Sequence, residues 1–162
     1  MKEQLKKVFC PAPFLHSYTS MGNSAFKLCC MSDIIDRIDT PAIRNGDTVA
    51  DQQERWWTGD KIKTIRKSFL NNEWPVLEDG SRPCDYCKHY EEIGIDREST
   101  RVGFIEKYSD ADLTVEDMGL NIETGNKYGF RWIIEKVNNN GEYVNCWMTT
   151  SVSEPMPLSN SA

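Results

Sequence analysis

Residues 8–30 read VFCPAPFLHSYTSMGNSAFKLCC, and this stretch decides the fold predicted for the chain. FLHSY alternates apolar with polar residues, SMGNS favours a turn, and AFKLCC resumes the alternation. The sequence therefore predicts an N-terminal β-hairpin, preceded by an irregular extended segment because Pro11 and Pro13 restrict the backbone. Such a hairpin brings Cys10, just before its first strand, towards Cys29 at the end of its second.

A second pair of thiols lies further along the chain, in RPCDYCKHYEEIG at residues 82–94. Two cysteines separated by two residues can grip one metal centre without straining the backbone, so Cys84 and Cys87 form a predicted Cys-x2-Cys knuckle. A thioredoxin-like redox pair would follow a buried strand. The preceding residues, EDGSRP, do not form one, and we set that alternative aside.

Together the hairpin and the knuckle supply four thiols, the number that either a [4Fe–4S] cluster or Zn²⁺ needs. The predicted cofactor ligands, and equally the predicted metal ligands, are Cys10, Cys29, Cys84 and Cys87. Neighbours on a strand face opposite sides, so Cys29 is preferred as the ligand and Cys30 as a packing residue, with Cys30 as the alternative to Cys29.

The remaining cysteine and the two histidines have simpler interpretations. Cys146 lies in an apolar alternation and reads as a small buried hydrophobe. His89 follows the knuckle and is a possible fourth zinc ligand, although a solvent-facing helix position is the more common role. His16 reads as a packed strand residue, and the pair Glu91–Glu92 as a solvated helix face. No catalytic residues are predicted.

Composition excludes several classes of protein. The 162 residues carry a net charge of −6, which disfavours a nucleic-acid partner because phosphate contacts need clustered Lys and Arg. The basic run Lys61–Lys67 reads instead as the solvated face of an amphipathic helix. No apolar run is long enough to span a bilayer, and the N-terminus lacks a signal-type apolar region, so we expect no membrane partner and a cytoplasmic location. In that reducing compartment, six cysteines indicate metal or redox chemistry rather than disulfides.

The fold class predicted is α+β: a small irregular cluster-binding domain with the N-terminal hairpin, short helices, the knuckle and a C-terminal β-hairpin. Helices are predicted from Asp51 and, capped by Asp60, over KIKTIRKSFL, where Ile62, Ile65 and Phe69 recur on one face. Residues 31–50 read as loop, and residues 113–122 as one or two strands. FRWIIEKV and EYVNCWMT flank an Asn-Gly turn and predict the second hairpin.

These pieces resemble the SPASM/twitch auxiliary iron–sulfur module of radical SAM proteins. The resemblance covers roughly residues 8–101. It rests on Cys10-Pro11-x-Pro13 followed by an aromatic residue, on the Cys29-Cys30 pair, on the Cys84–Cys87 knuckle, and on Ser99 and Arg101 downstream. It implies a twitch-like domain at 8–101, followed by a β-rich extension at 102–150 and a disordered tail at 151–162.

The resemblance implies one auxiliary [4Fe–4S] cluster held by the four predicted thiols, where spacing alone leaves Zn²⁺ open. Two features depart from the family pattern. Ser24 stands where the hairpin commonly has glycine, and the chain lacks the Cys-x3-Cys-x2-Cys motif of the radical SAM core, with Tyr128 where its first cysteine would stand.

The function predicted is therefore binding of one auxiliary [4Fe–4S] cluster by a truncated or stand-alone radical SAM accessory module, not catalytic alone. Its role would be electron transfer or docking, with a radical SAM core chain or a peptide or protein substrate as the partner. The alternative is a structural zinc-binding interaction domain that uses the same cysteines. An α+β scaffold with reduced, metal-free cysteines ranks third.

Overall fold

Short helices and short strands alternate along the chain. A computed structural model describes residues 7–110, 119–125, 131–137 and 143–149, with side chains described up to residue 106 (except His16) and at 119–125. The helices are α1 Ala12–Leu15, α2 Thr40–Arg44, α3 Val49–Trp57, α4 Asp60–Leu70, α5 Asp85–Glu92 and α6 Thr100–Asp110. The strands are β1 His16–Ser20, β2 Ala25–Lys27, β3 Asp36–Arg37, β4 Arg131–Val137 and β5 Tyr143–Thr149. The protein is therefore α+β, as predicted.

The five strands form one mixed sheet in the order β3-β2-β1-β4-β5. Both predicted hairpins are present: β1 pairs antiparallel with β2, and β4 with β5. What the sequence did not predict is the parallel pairing of β1 with β4, in which His16 lies opposite Arg131 and Ser20 opposite Glu135. This pairing joins the C-terminal hairpin to the N-terminal one.

The first strand begins later than predicted. Phe14 and Leu15 belong to the one-turn helix α1, because their N–H groups donate to the carbonyl of Pro11 at 3.0 and 3.2 Å. Proline fixes φ near the helical value, so the Pro-x-Pro sequence suits a first turn of helix as well as an extended segment. The strand prediction holds from His16 onward.

The segment predicted as loop at residues 31–50 contains two elements. Strand β3 pairs with β2, and α2 begins after Asp39, whose side chain accepts a hydrogen bond from the N–H of Ala42. Helix α3 also begins before the predicted Asp51, because Thr48 caps it and Asp51 completes a capping box. Capping residues within a turn-rich segment thus start helices that the apolar pattern does not reveal.

Helix α4 packs as its apolar spacing predicted. Ile62, Ile65 and Phe69 are buried in the core, together with Trp57 of α3 and Phe14 of α1. The N-cap residue of α4 differs from the predicted Asp60: Gly59 occupies the N-cap position, and Asp60 is the first helical residue. A carboxylate in the first turn still interacts favourably with the helix dipole.

Helices α5 and α6 complete the cysteine-bearing half of the chain. Helix α5 ends at Glu92, and two residues later Gly94 has a φ of 75°, the left-handed conformation typical of a helix stop. Helix α6 continues past residue 101, where the first domain was predicted to end, and its Ile105 is fully buried in the core.

Several predictions lie outside the described residues: most of the strands expected at 113–122, the turn of the second hairpin, and the tail at 151–162. Residues 119–125 form a tight turn closed by a bridge between Asn121 and Gly125. Within the described part of the chain, no helix has the length and apolar character that crossing a membrane would require.

Candidate metal centre

The four predicted cysteine ligands line one cavity. Cys10 lies immediately before α1, Cys29 lies in the bend after β2, Cys84 is the N-cap residue of α5, and Cys87 lies in its first turn. The other lining residues are mostly apolar, and they include Leu28, Met31, Phe69, Trp74, Tyr86 and Phe104. Thiols from distant parts of the sequence thus meet at one place in the fold.

Backbone contacts hold the bend after β2 against the knuckle. The N–H of Asp33 donates to the carbonyl of Pro83 at 3.0 Å, which places the bend beside the residue that precedes Cys84. The buried Ser32 hydroxyl accepts from the N–H of Leu28 at 2.9 Å and donates to the carbonyl of Cys29 at 3.3 Å. These contacts position the Cys29 thiol without any disulfide.

All five cysteines whose side chains are described are free. Cys10, Cys29 and Cys87 are buried, whereas Cys30 is exposed, so the prediction of Cys30 as a packing residue was wrong. Strand alternation does not apply there, because β2 ends at Lys27 and the next residues turn. The ammonium of Lys27 donates to the Cys30 carbonyl at 2.8 Å, on the exposed side of the bend. Of the two neighbours, Cys29 is the one that lines the cavity, and it is the one that the sequence analysis preferred as a ligand.

Burial is the main influence on the pKa values of Cys10, Cys29 and Cys84. It raises the pKa of Cys29 to about 11, and it raises the pKa of Cys10 further still. Cys84 as a whole residue is half-buried, it lines the cavity, and burial raises the pKa of its thiol well above the usual value. Charge repulsion from neighbouring cysteines, Cys87 among them, raises the pKa of each of these three thiols further. In the metal-free protein Cys10, Cys29 and Cys84 are therefore protonated at neutral pH, and a bound cation would stabilise their thiolate forms.

Backbone N–H groups also act on the sulfurs. Hydrogen bonds from Ala12 to Cys10, and from Met31 and Ser32 to Cys29, oppose the rise in thiol pKa because they favour the charged form. Hydrogen bonds of this kind to cysteine sulfur are one of the levers by which proteins set the potential of iron–sulfur centres. The donor set therefore fits a thiolate-bound metal group.

The cavity is small in the structure. About 20 Å³ is open to the centre of a water molecule, which is room for about one water or ion. Among the described residues, no three Cys, His, Asp or Glu side chains are arranged closely enough to hold a metal ion directly. The thiols share a cavity but are not preassembled around a single ion, so binding of a metal group would require its walls to adjust.

His89 does not contribute to the cavity. It lies on an exposed face of α5, with its ring against Tyr90 at a centroid distance of 5.4 Å. His16 lies on β1, but its side chain is outside the described set, as is that of Cys146 on β5. The solvent-facing interpretation of His89 is therefore confirmed, and the zinc-ligand interpretation is wrong in this structure.

Arg101 is the one charged side chain among the described residues that line the cavity. It is 4% exposed, and it forms a two-point ion pair with Glu91, which is 17% exposed. The interpretation of Glu91 as part of a solvated face was therefore wrong. Adjacent helical residues diverge around the axis, and only Glu92 is exposed.

A second buried arginine lies outside the cavity, on α4. Arg66 stacks on the ring of Trp57, with its guanidinium carbon 4.3 Å from the ring centroid, and it donates to the carbonyls of Pro13, Ile122 and Glu123. The prediction that Lys61–Lys67 is a solvated face holds for Lys61 and Lys67 but not for Arg66. Neither arginine has a local sequence signal for burial, because the partner groups lie far along the chain.

A more open groove lies between β3, α3 and α4. Its volume is about 520 Å³, in the range of small-ligand sites. Trp56 lines it together with charged residues of both signs, including Asp36, Arg37, Arg55 and Lys61. Two of these charges pair with each other, Lys61 with Asp36 at 3.7 Å, and Arg55 pairs with Asp47 nearby.

The comparisons with known proteins add no relative. No family model matches the chain, and neither curated proteins nor solved structures give a match.

Proposed function

We propose that this chain binds one [4Fe–4S] cluster through Cys10, Cys29, Cys84 and Cys87. The observation that carries the proposal is the convergence of four free thiols from separate segments on one buried, mostly apolar cavity. Isolated buried thiols would need no such convergence, whereas a thiolate-ligated cluster requires it. We place the protein in a reducing compartment, the cytoplasm, where free thiols persist.

The biological role we propose is that of a truncated or stand-alone accessory module of the SPASM/twitch type. When bound, the cluster would supply one-electron transfer. The chain's own four thiolates would occupy its ligand positions, so radical generation from S-adenosylmethionine would belong to a separate core chain. The groove beside Trp56, with charges of both signs, is a site where a peptide or protein partner would dock.

A structural zinc site is the second candidate, and the small cavity volume favours it. A tetrahedral Zn²⁺ with Zn–S bonds of about 2.3 Å draws its four sulfurs to about 3.8 Å from one another. The thiols would have to close around the ion to reach that geometry. A cluster would instead require side chains at the mouth of the cavity, such as the exposed Met31, to move outward.

Metal analysis of protein purified without oxygen separates the two candidates. Our proposal expects a brown protein with four iron and four acid-labile sulfide per chain, as the formula of the cluster requires. One zinc per colourless chain supports the structural site and contradicts the cluster.

Serine substitutions test the ligand set. Cys84→Ser and Cys87→Ser should lose the iron and much of the folding stability, because metal binding and folding are coupled. Cys30→Ser is the matched control, since Cys30 adjoins a proposed ligand but is exposed. A Cys84→Ser protein that keeps its full iron content would contradict the assignment.

A further inference from the structure

Arg101, the positive member of the Arg101–Glu91 ion pair, lies in the wall of the thiol cavity. Arg101 lines the cavity together with all four cysteines, whereas Glu91 is not among the lining residues. The Nε of Arg101 donates to one carboxylate oxygen of Glu91 at 2.8 Å, and Nη2 donates to the other. Arg101 therefore borders the cavity, and its carboxylate partner does not.

The pair is held rigidly by further contacts. The Ser99 hydroxyl donates to Glu91 at 2.6 Å, and Nη1 of Arg101 donates to the carbonyls of Lys7 and Phe9 at 3.0 and 2.9 Å. The Trp74 ring lies 5.8 Å from the guanidinium carbon and also lines the cavity. A buried charge kept in one place by this many contacts exerts a stronger field than a mobile surface charge.

Charge near an iron–sulfur centre changes its potential, because reduction adds one negative charge to a group already surrounded by thiolates. A nearby cation favours the reduced form, and a nearby anion favours the oxidised form. Arg101 is the one charged side chain among the described lining residues. The electrostatic effect of the protein on a group bound there therefore depends mainly on Arg101 and on its partner Glu91.

We propose that the Arg101–Glu91 pair tunes the reduction potential of the proposed cluster, Arg101 raising it and Glu91 limiting that rise. This inference rests on the proposed function and adds a regulatory pair to it. Arg101 also holds Lys7 and Phe9, which precede Cys10, so it positions the segment that carries one proposed ligand.

The test is a potentiometric titration of the full chain reconstituted with iron and sulfide. Dithionite supplies one electron per cluster, and EPR spectroscopy measures the reduced fraction. Arg101→Gln should lower the equilibrium constant for reduction about tenfold, a shift of about 59 mV to lower potential. Glu91→Gln keeps the side-chain shape and should shift the potential in the opposite direction.

Opposite signs distinguish electrostatic tuning from a general loosening of the site, which would move both variants the same way. Arg101→Lys keeps the positive charge and should remain closer to the wild-type potential than Arg101→Gln. Arg97→Gln and Glu98→Gln are the matched controls, because that ion pair is on the surface, with Arg97 86% exposed, and its charges are screened by solvent and salt.

Two results would overturn the inference in distinguishable ways. If the wild-type chain takes up no iron and sulfide, the proposed function fails and the inference falls with it. If the wild-type chain binds a cluster but Glu91→Gln shifts its potential downward or not at all, the inference alone is wrong. If Arg101→Gln loses its cluster, Glu91→Gln and Arg101→Lys still decide the question by the signs given above.

Discussion

Two buried arginines hold the chain around Cys10, one by carbonyls before it and one by a carbonyl after it in sequence, and their partner groups differ. Arg101 binds the carbonyls of Lys7 and Phe9 and has a carboxylate partner in Glu91. Arg66 binds the carbonyl of Pro13 with no carboxylate partner among the described residues, and burial lowers its pKa to about 10, which leaves it charged at neutral pH.

We interpret Arg101 as a residue that serves the proposed metal centre and Arg66 as a residue that serves the fold. Arg101 lines the thiol cavity, where its charge would act on the proposed cluster. Arg66 faces the turn at 119–125, where its hydrogen bonds join α4 to the C-terminal part of the chain. The comparison predicts that changes around Arg66 alter the folding stability, whereas changes around Arg101 alter the properties of the metal centre.

The largest effect should come from Arg66→Met. It leaves the carbonyls of Pro13, Ile122 and Glu123 without their donor, and we expect a loss of about 4 kcal/mol in the free energy of unfolding. Urea denaturation of the metal-free protein measures it. Lys67→Met on the exposed face of the same helix is the control and should change the stability by less than about 0.5 kcal/mol. An Arg66 variant as stable as the control would show that the hydrogen bonds of Arg66 do not stabilise the fold.

Gly125→Ala should lower the free energy of unfolding by about 3 kcal/mol. Gly125 has a φ of 85°, and an added Cβ would lie 2.7 Å from both the Phe14 carbonyl oxygen and the Trp57 ring. Gly46→Ala is the matched control, because its φ of 98° carries similar backbone strain but no atom lies within 4 Å of the added Cβ. We expect the control to lose about 1 kcal/mol in the free energy of unfolding. The difference between the two losses measures the cost of the clash with Phe14 and Trp57. Equal losses would show that backbone strain alone accounts for both.

The cavity predicts a pH dependence for the metal-free, reduced protein. The unfolded Cys29 thiol loses its proton near pH 9.0, whereas the folded one keeps it to about 11. The folded state then binds more protons, so its stability should fall as the pH rises above 9, by at most about 1.4 kcal/mol per pH unit for each such thiol.

Urea denaturation between pH 8 and 10 measures this slope. Cys29→Ala should flatten it far more than Cys30→Ala, since Cys30 is exposed and acts only through its charge on the Cys29 thiol. A slope that does not respond to Cys29→Ala would mean that the thiol is not buried as described.

The smallest effect should come from Glu123→Gln, in the same turn that Arg66 binds. Its carboxylate pairs with Lys63 at 2.6 Å but is 71% exposed. We expect a loss below about 0.5 kcal/mol that disappears in high salt. A loss as large as that of Arg66→Met would show that the surface ion pair, rather than the buried guanidinium, holds the turn.

Local patterns predicted much of this fold. The spacing of Ile62, Ile65 and Phe69 places one face of α4 in the core, and alternation around turn residues predicts both hairpins. The parallel pairing of β1 with β4 could not be predicted, because it joins distant segments and leaves no periodic signal in either.

The same limit applies to the site. The Cys-x2-Cys spacing and the hairpin together predicted which thiols share the cavity, and the structure places all four there. Glu91 and Arg66 look like surface residues in the sequence, because a charged residue with a distant buried partner has the same local context as a solvated one. Cys30 was wrongly predicted to be a packing residue, because strand β2 ends at Lys27 and the alternation of a strand does not reach Cys30.

Differential alkylation of the reconstituted, oxygen-free protein tests the central claim most directly, because mass spectrometry reports each cysteine separately. We predict that four thiols are protected together in the native protein, namely Cys10, Cys29, Cys84 and Cys87. They should become reactive together once the protein is denatured and a chelator has removed the iron. Cys30 should react throughout. Native protein in which any of the four is alkylated while the full iron content remains would contradict the shared centre.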